Sequence, residues 1–253
     1  MTGSLLPLPV SSADVDAAAA VLAPFAVRTP LLSPPVLSDR VGARVFLKPE
    51  VLQRTGSFKF RGAFNKLSSI PQDKRSGGVV AFSSGNHAQG VAAAAKILNM
   101  QATIVMPADS PLTKRERTKA YGAEVVLYDR DKEDREAIAN GIASTRGATL
   151  VRPYDDPFVI AGQGTAGREI AEDMTARGLA PDIVIAPASG GGLIAGVATA
   201  GPTSASDAVT PCDKSLLLIA NVSSPGMVAI SASQMVRPCA SCGSRFPARN
   251  ERM

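Results

Sequence analysis

Residues 78–99 read GVVAFSSGNHAQGVAAAAKILN, and this stretch changes character twice. Residues 78–82 are a short run ending Val79-Val80-Ala81-Phe82, suited to a buried strand. Residues 87–99 are rich in alanine and read as a helix that is apolar over most of its surface. Between them stands Ser83-Ser84-Gly85-Asn86, small and polar. A strand that ends in such a loop and re-enters as a helix is half of a βαβ unit. Small side chains at a helix N-terminus leave backbone N–H groups open to an anion such as a carboxylate. Ordinary capping would need only one Ser or Asn with a turn glycine. Ser83, Ser84, Asn86 and His87 together exceed that need and mark a candidate binding loop.

The same alternation extends to both sides. Expected strands cover 44–48, 78–82, 102–106, 124–128, 148–151 and 183–187; expected helices cover 59–67, 87–99, 112–120, 131–146 and 163–177. Strands separated by helices imply an α/β fold with a mostly parallel sheet, whose ligands sit at the carboxyl ends of the strands. Composition agrees: 45% of residues are hydrophobic, only 4% are aromatic and Trp is absent. The core must therefore rest on Ala, Val, Ile and Leu, as in tightly packed parallel sheets.

Two further segments carry chemistry. Ser189-Gly190-Gly191-Gly192-Leu193 follows the expected strand 183–187. Consecutive glycines let the backbone approach a ligand and turn its amides toward it, so the loop reads as a phosphate cradle. No Lys-Ser/Thr pair follows, which separates it from a Walker A loop. Lys59 stands between Phe58 and Phe60 at a helix start. Desolvation there lowers a lysine's pKa, and a neutral amine is a nucleophile toward a carbonyl. Taken alone, the segment reads rather as a lysine whose stem lies over apolar surface while its head reaches water.

Several classes are excluded. Gly162-Gln163-Gly164-Thr165-Ala166-Gly167 matches G-x-G-x-x-G, and Asp182 lies 20 residues after Gly162. A dinucleotide site needs a proper strand before the motif and an acid at the end of the next strand. Only residues 158–161 precede the motif and Asp182 stands ahead of its strand, so an NAD site is not expected. The net charge is +5, but the basic residues are scattered and aromatics are too few for a stacking surface, which argues against nucleic acid. Cys212, Cys239 and Cys242 are too few for a disulfide framework and suggest a reducing compartment. Zinc would need about four ligands, and the sole histidine, His87, is distant, so no metal is expected. The uncharged stretches 183–206 and 215–236 are broken by Pro187 and Pro225, and neither supplies a membrane span. Residues 1–10 lack a basic region ahead of an apolar run, so a cytoplasmic protein is expected. From about Ala200 the alternation stops. Residues 201–253 hold five prolines and nine serines, and only 215–220 reads as a strand.

Taken in order, four motifs resemble the fold-type II pyridoxal-phosphate enzymes, in particular the serine/threonine dehydratase and serine racemase family. They are Gly56-Ser57-Phe58-Lys59-Phe60-Arg61-Gly62-Ala63, Ser83-Ser84-Gly85-Asn86-His87, Gly162-Gln163-Gly164-Thr165 and Ser189-Gly190-Gly191-Gly192-Leu193. The resemblance covers residues 28–200. Phe58-Lys59-Phe60-Arg61 with Ser83-Ser84 is similar to the dehydratase branch rather than to the cysteine-synthase branch. The resemblance implies a tryptophan-synthase-β-like α/β fold with open parallel sheets in two subdomains. The larger would comprise 1–72 and 149–200, the smaller 73–148, and 201–253 would be a divergent, poorly ordered tail.

It also implies pyridoxal 5'-phosphate as cofactor. Lys59 would hold it and move the substrate's Cα proton; Phe58 would pack beside its ring, and Asn86 would bond its phenolic oxygen. Ser189, Gly190, Gly191, Gly192 and Leu193 would bind its phosphate. Ser83, Ser84 and His87 would surround the substrate carboxylate, with Ser84 also placed as an acid/base on the opposite ring face. Arg135 matches an arginine near the substrate pocket in some members. The implied reaction is β-elimination from L-threonine or L-serine to a 2-oxo acid and ammonia. Serine racemisation, 3-hydroxyaspartate ammonia-lyase activity and an inactive truncated fragment are the alternatives. An amino acid is the implied partner, and a homodimer is the family expectation. Ser189 replaces the first glycine of the phosphate run but keeps its N–H. Nothing in 201–253 matches the family's further strands and helices, so this tail reads as a truncation or an out-of-frame end.

Overall fold

The computed structural model describes residues 10–200 and 215–220. Cys212, Cys239, Cys242 and most of the tail lie outside the described residues. Strands β2 (Val79–Phe82), β3 (Ala102–Pro107), β4 (Glu124–Tyr128) and β5 (Thr149–Leu150) form one sheet in the order β4-β3-β2-β5, with every pair parallel. Strands β1 (Arg44–Pro49), β6 (Ile183–Ile185) and β7 (Ser215–Ala220) form a second parallel sheet in the order β1-β7-β6. The apolar run 215–220 is thus a strand, as its sequence suggests, and it occupies the centre of its sheet.

The helices are α1 (Ser12–Leu22), α2 (Pro35–Val41), α3 (Lys59–Ser68), α4 (Asn86–Ile97), α5 (Leu112–Ala120), α6 (Arg135–Arg146), α7 (Pro157–Thr175) and α8 (Gly192–Thr199). Helix α5 has the expected bounds, whereas three others start elsewhere than expected. Helix α4 starts at Asn86, one residue early. Helix α6 starts at Arg135 rather than 131, because Asp134 accepts from the N–H groups of Glu136 (2.7 Å) and Ala137 (3.3 Å) and so defines the cap. Helix α7 starts at Pro157 rather than 163, because Asp156 accepts from Phe158 N (2.9 Å) and Val159 N (3.2 Å) ahead of a proline at the first turn. The strands expected at 148–151 and 183–187 are shorter, at Thr149–Leu150 and Ile183–Ile185.

The two-residue period of β2 sorts its side chains between two cores. Val79 and Ala81 join Phe60, Phe64, Leu67, Val91 and Ile104 under α3 and α4. Val80 and Phe82 face the other way, with Val105, Tyr128 and Ala139 under α6. A strand buried on both faces needs no polar positions, which is why β2 and β3 read as continuous apolar runs. Phe46, Phe58, Ile170, Met174, Leu193 and Val197 form a separate cluster beside the other sheet.

The G-x-G-x-x-G stretch lies inside α7, not between a strand and a helix. Its glycines serve helix contact. A Cβ at Gly162 would stand 2.6 Å from Arg61 O and 2.8 Å from Gly62 Cα. A Cβ at Gly196 of α8 would overlap Ile160 O and stand 2.6 Å from Gly164 N. The helices therefore touch backbone to backbone, and a methyl group must push them apart.

Polar groups are also sealed into this junction. The Arg61 guanidinium, 1% exposed, donates to Glu50 (2.8 and 2.9 Å) and to Glu169 (2.7 and 3.0 Å). Lys48 Nζ donates to Glu169 (2.6 Å) and to Thr29 O (2.6 Å), and Thr29 Oγ1 donates to Glu50 (2.7 Å). Two cations and two carboxylates balance.

Gly196→Ala is expected to lower unfolding stability by about 1–3 kcal/mol, as overpacking does. Gly141→Ala, in α6 with nothing within 4 Å of its Cβ position, is expected to raise it by about 0.5–1 kcal/mol. Urea unfolding of both variants checks the contrast. Glu50→Gln leaves the Arg61–Lys48–Glu169 group with an uncompensated positive charge, and a loss of about 3–5 kcal/mol is expected in the same measurement.

Candidate active site

The chain enters α3 through an unusual turn. Thr55 (φ 64) and Gly56 (φ 71) are both left-handed, a conformation that Thr adopts only at some strain. Ser57 Oγ then accepts from Lys59 N (3.2 Å), and Phe58 packs into the core beside it. Lys59 is therefore pointed by a fixed turn rather than by a flexible stem. Its Nζ lies 5.2 Å from the Phe58 ring centroid and donates to Pro153 O (2.7 Å). Burial lowers its pKa from 10.5 to about 8. No carboxylate among the described residues pairs with it, so desolvation is unopposed.

Helix α4 leans on this turn. A Cβ at Gly90 would stand 3.1 Å from both Lys59 C and Lys59 O, a contact so tight that the neighbour would have to give by a few tenths of an ångström. The first helical bond within α4 runs from Gln89 N to Gly85 O (3.2 Å), and the N–H groups of residues 86–88 precede it. Ser83 Oγ accepts from Gly85 N (3.2 Å), while Ser84 is exposed. Asn86 is the first residue of the helix and half-buried. His87 is buried, with Nε2 3.2 Å from Val151 O and Nδ1 without a partner. That geometry puts its proton on Nε2. Burial, and then the nearby Lys59 charge, push its pKa down to about 3. The imidazole is neutral at physiological pH and offers a carboxylate no positive charge. What His87 presents toward the loop is its position in the first turn of α4.

The glycine loop reaches α8 with Gly191 at φ 84. A Cβ there would meet nothing within 4 Å, so the loop's face at Gly191 is open. The first helical bond beyond it is Ala195 N to Gly191 O (2.9 Å), leaving the amides of residues 192–194 ahead of it. Ser189 and Gly190 are exposed, and Leu193 is buried. Arg135, also exposed, stacks its guanidinium 5.3 Å from the Phe82 ring, next to the Ser83 loop.

One short segment joins these parts. Val151 O faces His87, Pro153 O accepts from Lys59, and the Tyr154 ring occupies the space a Cβ on Gly190 would need. Tyr154 O lies 3.0 Å from the Cβ position of Gly192. Residues 151–154 follow β5, at the carboxyl end of its sheet, where parallel folds collect their ligands. Pro153 and Tyr154 were not singled out by sequence, and the strand-end position was the available signal. Lys114 was missed too: its Nζ stands 3.4 Å from the Cβ position of Gly85, and no carboxylate among the described residues pairs with it.

Segment 151–154 thus connects a desolvated amine, a helix N-terminus and a glycine cradle. The family model for pyridoxal-phosphate dependent enzymes matches residues 22–207. The chain belongs to that family. It is 52% identical over 187 residues to the L-threo-3-hydroxyaspartate ammonia-lyase of a Pseudomonas species, a match covering 74% of this chain and 57% of that one. It is 47% identical over 192 residues to the catabolic L-threonine dehydratase of Staphylococcus aureus, covering 76% and 54% respectively. The structure of maize serine racemase superposes with a TM-score of 0.73 at 38% identity, over 76% of this chain and 57% of that one. The chain spans about half the length of the curated relatives it matches. Its residues fit the family's cofactor on two counts: a buried amine whose pKa is lowered to about 8, and an open glycine loop of backbone amides at the start of α8. Among the described residues no cluster of metal-ligating side chains occurs and no helix is long and apolar enough to cross a membrane.

Labelling by an amine-directed acylating reagent tests the amine, with the Lys59 peptide read by mass spectrometry across pH. Its reactivity should rise with a midpoint near pH 8, whereas exposed lysines follow the ordinary value of 10.5. A Lys59 midpoint above 10 would mean that the amine is solvated.

Proposed function

We propose that the chain performs the pyridoxal-phosphate dependent β-elimination of a β-hydroxy amino acid, releasing a 2-oxo acid and ammonia. The supporting observation is Lys59: a largely buried amine with pKa about 8 that donates to Pro153 O, next to the Tyr154 that packs on the glycine loop. When bound, the cofactor withdraws electrons from Cα and makes its proton removable. Lys59 would hold the cofactor and, as a free amine, would take the Cα proton. Phe58 would support its ring, and Asn86 would face its phenolic oxygen. The backbone amides of Ser189, Gly190, Gly191, Gly192 and Leu193 receive the phosphate, aided by the dipole of α8. Ser83, Ser84 and the first-turn amides of α4 receive the substrate carboxylate, and Ser84 stands as the group for the opposite face. Loss of the Cα proton and of the β-hydroxyl leaves an enamine, which water converts to the 2-oxo acid and ammonia.

The substrates first implied are L-threonine and L-serine. One observation favours L-threo-3-hydroxyaspartate instead: the Lys114 ammonium stands over Gly85, placed for a second carboxylate. The similarity to a hydroxyaspartate ammonia-lyase supports the same choice. The reading carries with it a cytoplasmic homodimer. It also carries a division into 1–72 with 149–200 and 73–148, in which residues 151–154 sit close to the crossing point.

The test is 2-oxo acid release from each of the three amino acids, with chiral analysis of recovered serine. Lys59→Ala should abolish turnover, since no other group supplies the amine. Lys114→Met should lower kcat/KM for hydroxyaspartate by about ten- to a hundredfold and leave that for serine nearly unchanged, as loss of one ion-paired contact does. Serine racemised without oxo acid would replace elimination by racemisation.

A further inference from the structure

We propose that Gln163 is a positioning residue for the anion cradle. Its side-chain amide, beneath the first turn of α8, completes the hydrogen bonding between the glycine loop and a phosphate group. The inference rests on reading that loop as the cofactor's phosphate site. Gln163 is 0% exposed, and neither Nε2 nor Oε1 has a hydrogen-bond partner. One end of the amide lies 3.1 Å from where a Cβ on Gly192 would stand, and its Cγ lies 3.1 Å from the Cβ position of Gly62. The side chain thus fills the wedge between the helix that begins at Lys59 and the helix that the glycine loop begins.

A buried amide with both ends unpaired is unfavourable, and an apolar side chain of similar volume would fill the wedge without that penalty. A primary amide is an advantage there only when something pairs with it. The direction in which it is aimed identifies the partner. Gly192 has no side chain to intervene, so the amide meets the loop where the N–H groups of the first turn of α8 emerge. An amide both donates and accepts. Its carbonyl takes a first-turn N–H and its NH2 takes a phosphate oxygen. The loop amides are thereby held in one arrangement as the anion seats. Glycine-rich loops are otherwise floppy, and the energy spent ordering them is subtracted from binding. Gln163 supplies that order from the rigid side of the loop.

The experiment uses the full chain, wild type and Gln163→Met, with three probes: inorganic phosphate, pyridoxal 5'-phosphate and pyridoxal, which lacks the phosphate. Affinities are read by equilibrium dialysis and by absorbance, and the cofactor-free thermal midpoint is read alongside. The variant should bind the two phosphate-bearing probes about ten- to a hundredfold more weakly, as expected for one hydrogen bond to a charged group. Its pyridoxal affinity should be unchanged and its cofactor-free midpoint equal or higher. A purely structural role would instead lower the midpoint. Phosphate affinities within twofold of wild type, or an equal loss for pyridoxal, would overturn the role of Gln163 while leaving the proposed function standing. A wild type that binds neither phosphate probe would remove both. Should the variant not fold, the Gln163 side-chain amide signals of 15N-labelled wild type decide the matter. They should shift on saturation with inorganic phosphate, and unmoved signals overturn the proposal.

Discussion

The ion cluster of Arg61, Glu50, Glu169 and Lys48 fixes how α3 is turned, and the site inherits that orientation. Arg61 lies two residues after Lys59, on the first turn of α3. Its planar fork meets Glu50, at the end of β1, and Glu169, in the middle of α7, with two bonds to each carboxylate. Such a group adds little net stability over an apolar core, because burying four charges costs about what their attraction returns. It does forbid alternatives. Rotating α3 by one residue turns Arg61 by about 100° away from both acids and leaves three charged groups buried without it. The register of α3 is therefore set by electrostatics, and with it the direction in which Lys59 points.

Backbone contact then sets the distances. Helix α7 meets α3 at Gly162 and α8 at Gly164 and Gly196, each close enough to exclude a methyl group. Those contacts hold the start of α3 and the start of α8 against a common partner, and Gln163 lies between them on that partner. Segment 151–154 closes the arrangement from the other sheet, through β5. The amine and the two loops are linked through residues 151–154, and two helices begin against one glycine-lined helix.

The sequence made the alternation legible because strands buried on both faces and alanine-rich helices differ in composition, not merely in period. The 79–82 and 86–97 elements are of this kind. Caps were legible but overlooked. Ser11 with Asp14 forms a capping box for α1, and Asp156-Pro157 opens α7, both short signals in segments with no marked periodicity. The place of β7 between β1 and β6 was not legible, since strand order in a parallel sheet is decided by crossovers and leaves no local trace. In the candidate site, Lys59 and both loops could be read because the proposed chemistry rests on their side chains, or their lack of them. Pro153 acts through its carbonyl, which every residue has, and Lys114 comes near Gly85 only through the packing of α5. That His87 is neutral was not legible either, because its burial against Val151 is a tertiary fact.

Two buried lysines show what separates a structural amine from a reactive one. Lys48 is fully buried, and Lys59 is largely so. Burial lowers the pKa of each. At Lys48 the charge and hydrogen bond of Glu169 oppose the shift, so the ammonium belongs to an ion pair and cannot leave it without stranding a carboxylate. At Lys59 the partner is the neutral carbonyl of Pro153, and nothing opposes desolvation. Between pH 8 and 10.5 the unfolded chain holds a proton that folded Lys59 has released, so this residue's contribution to stability rises with pH through that window. Below pH 8 the fold carries the cost of a half-solvated ammonium. In the proposed function that cost marks an amine kept ready to act in its neutral form, which suits the lysine flanked by phenylalanines better than the more deeply buried, ion-paired one.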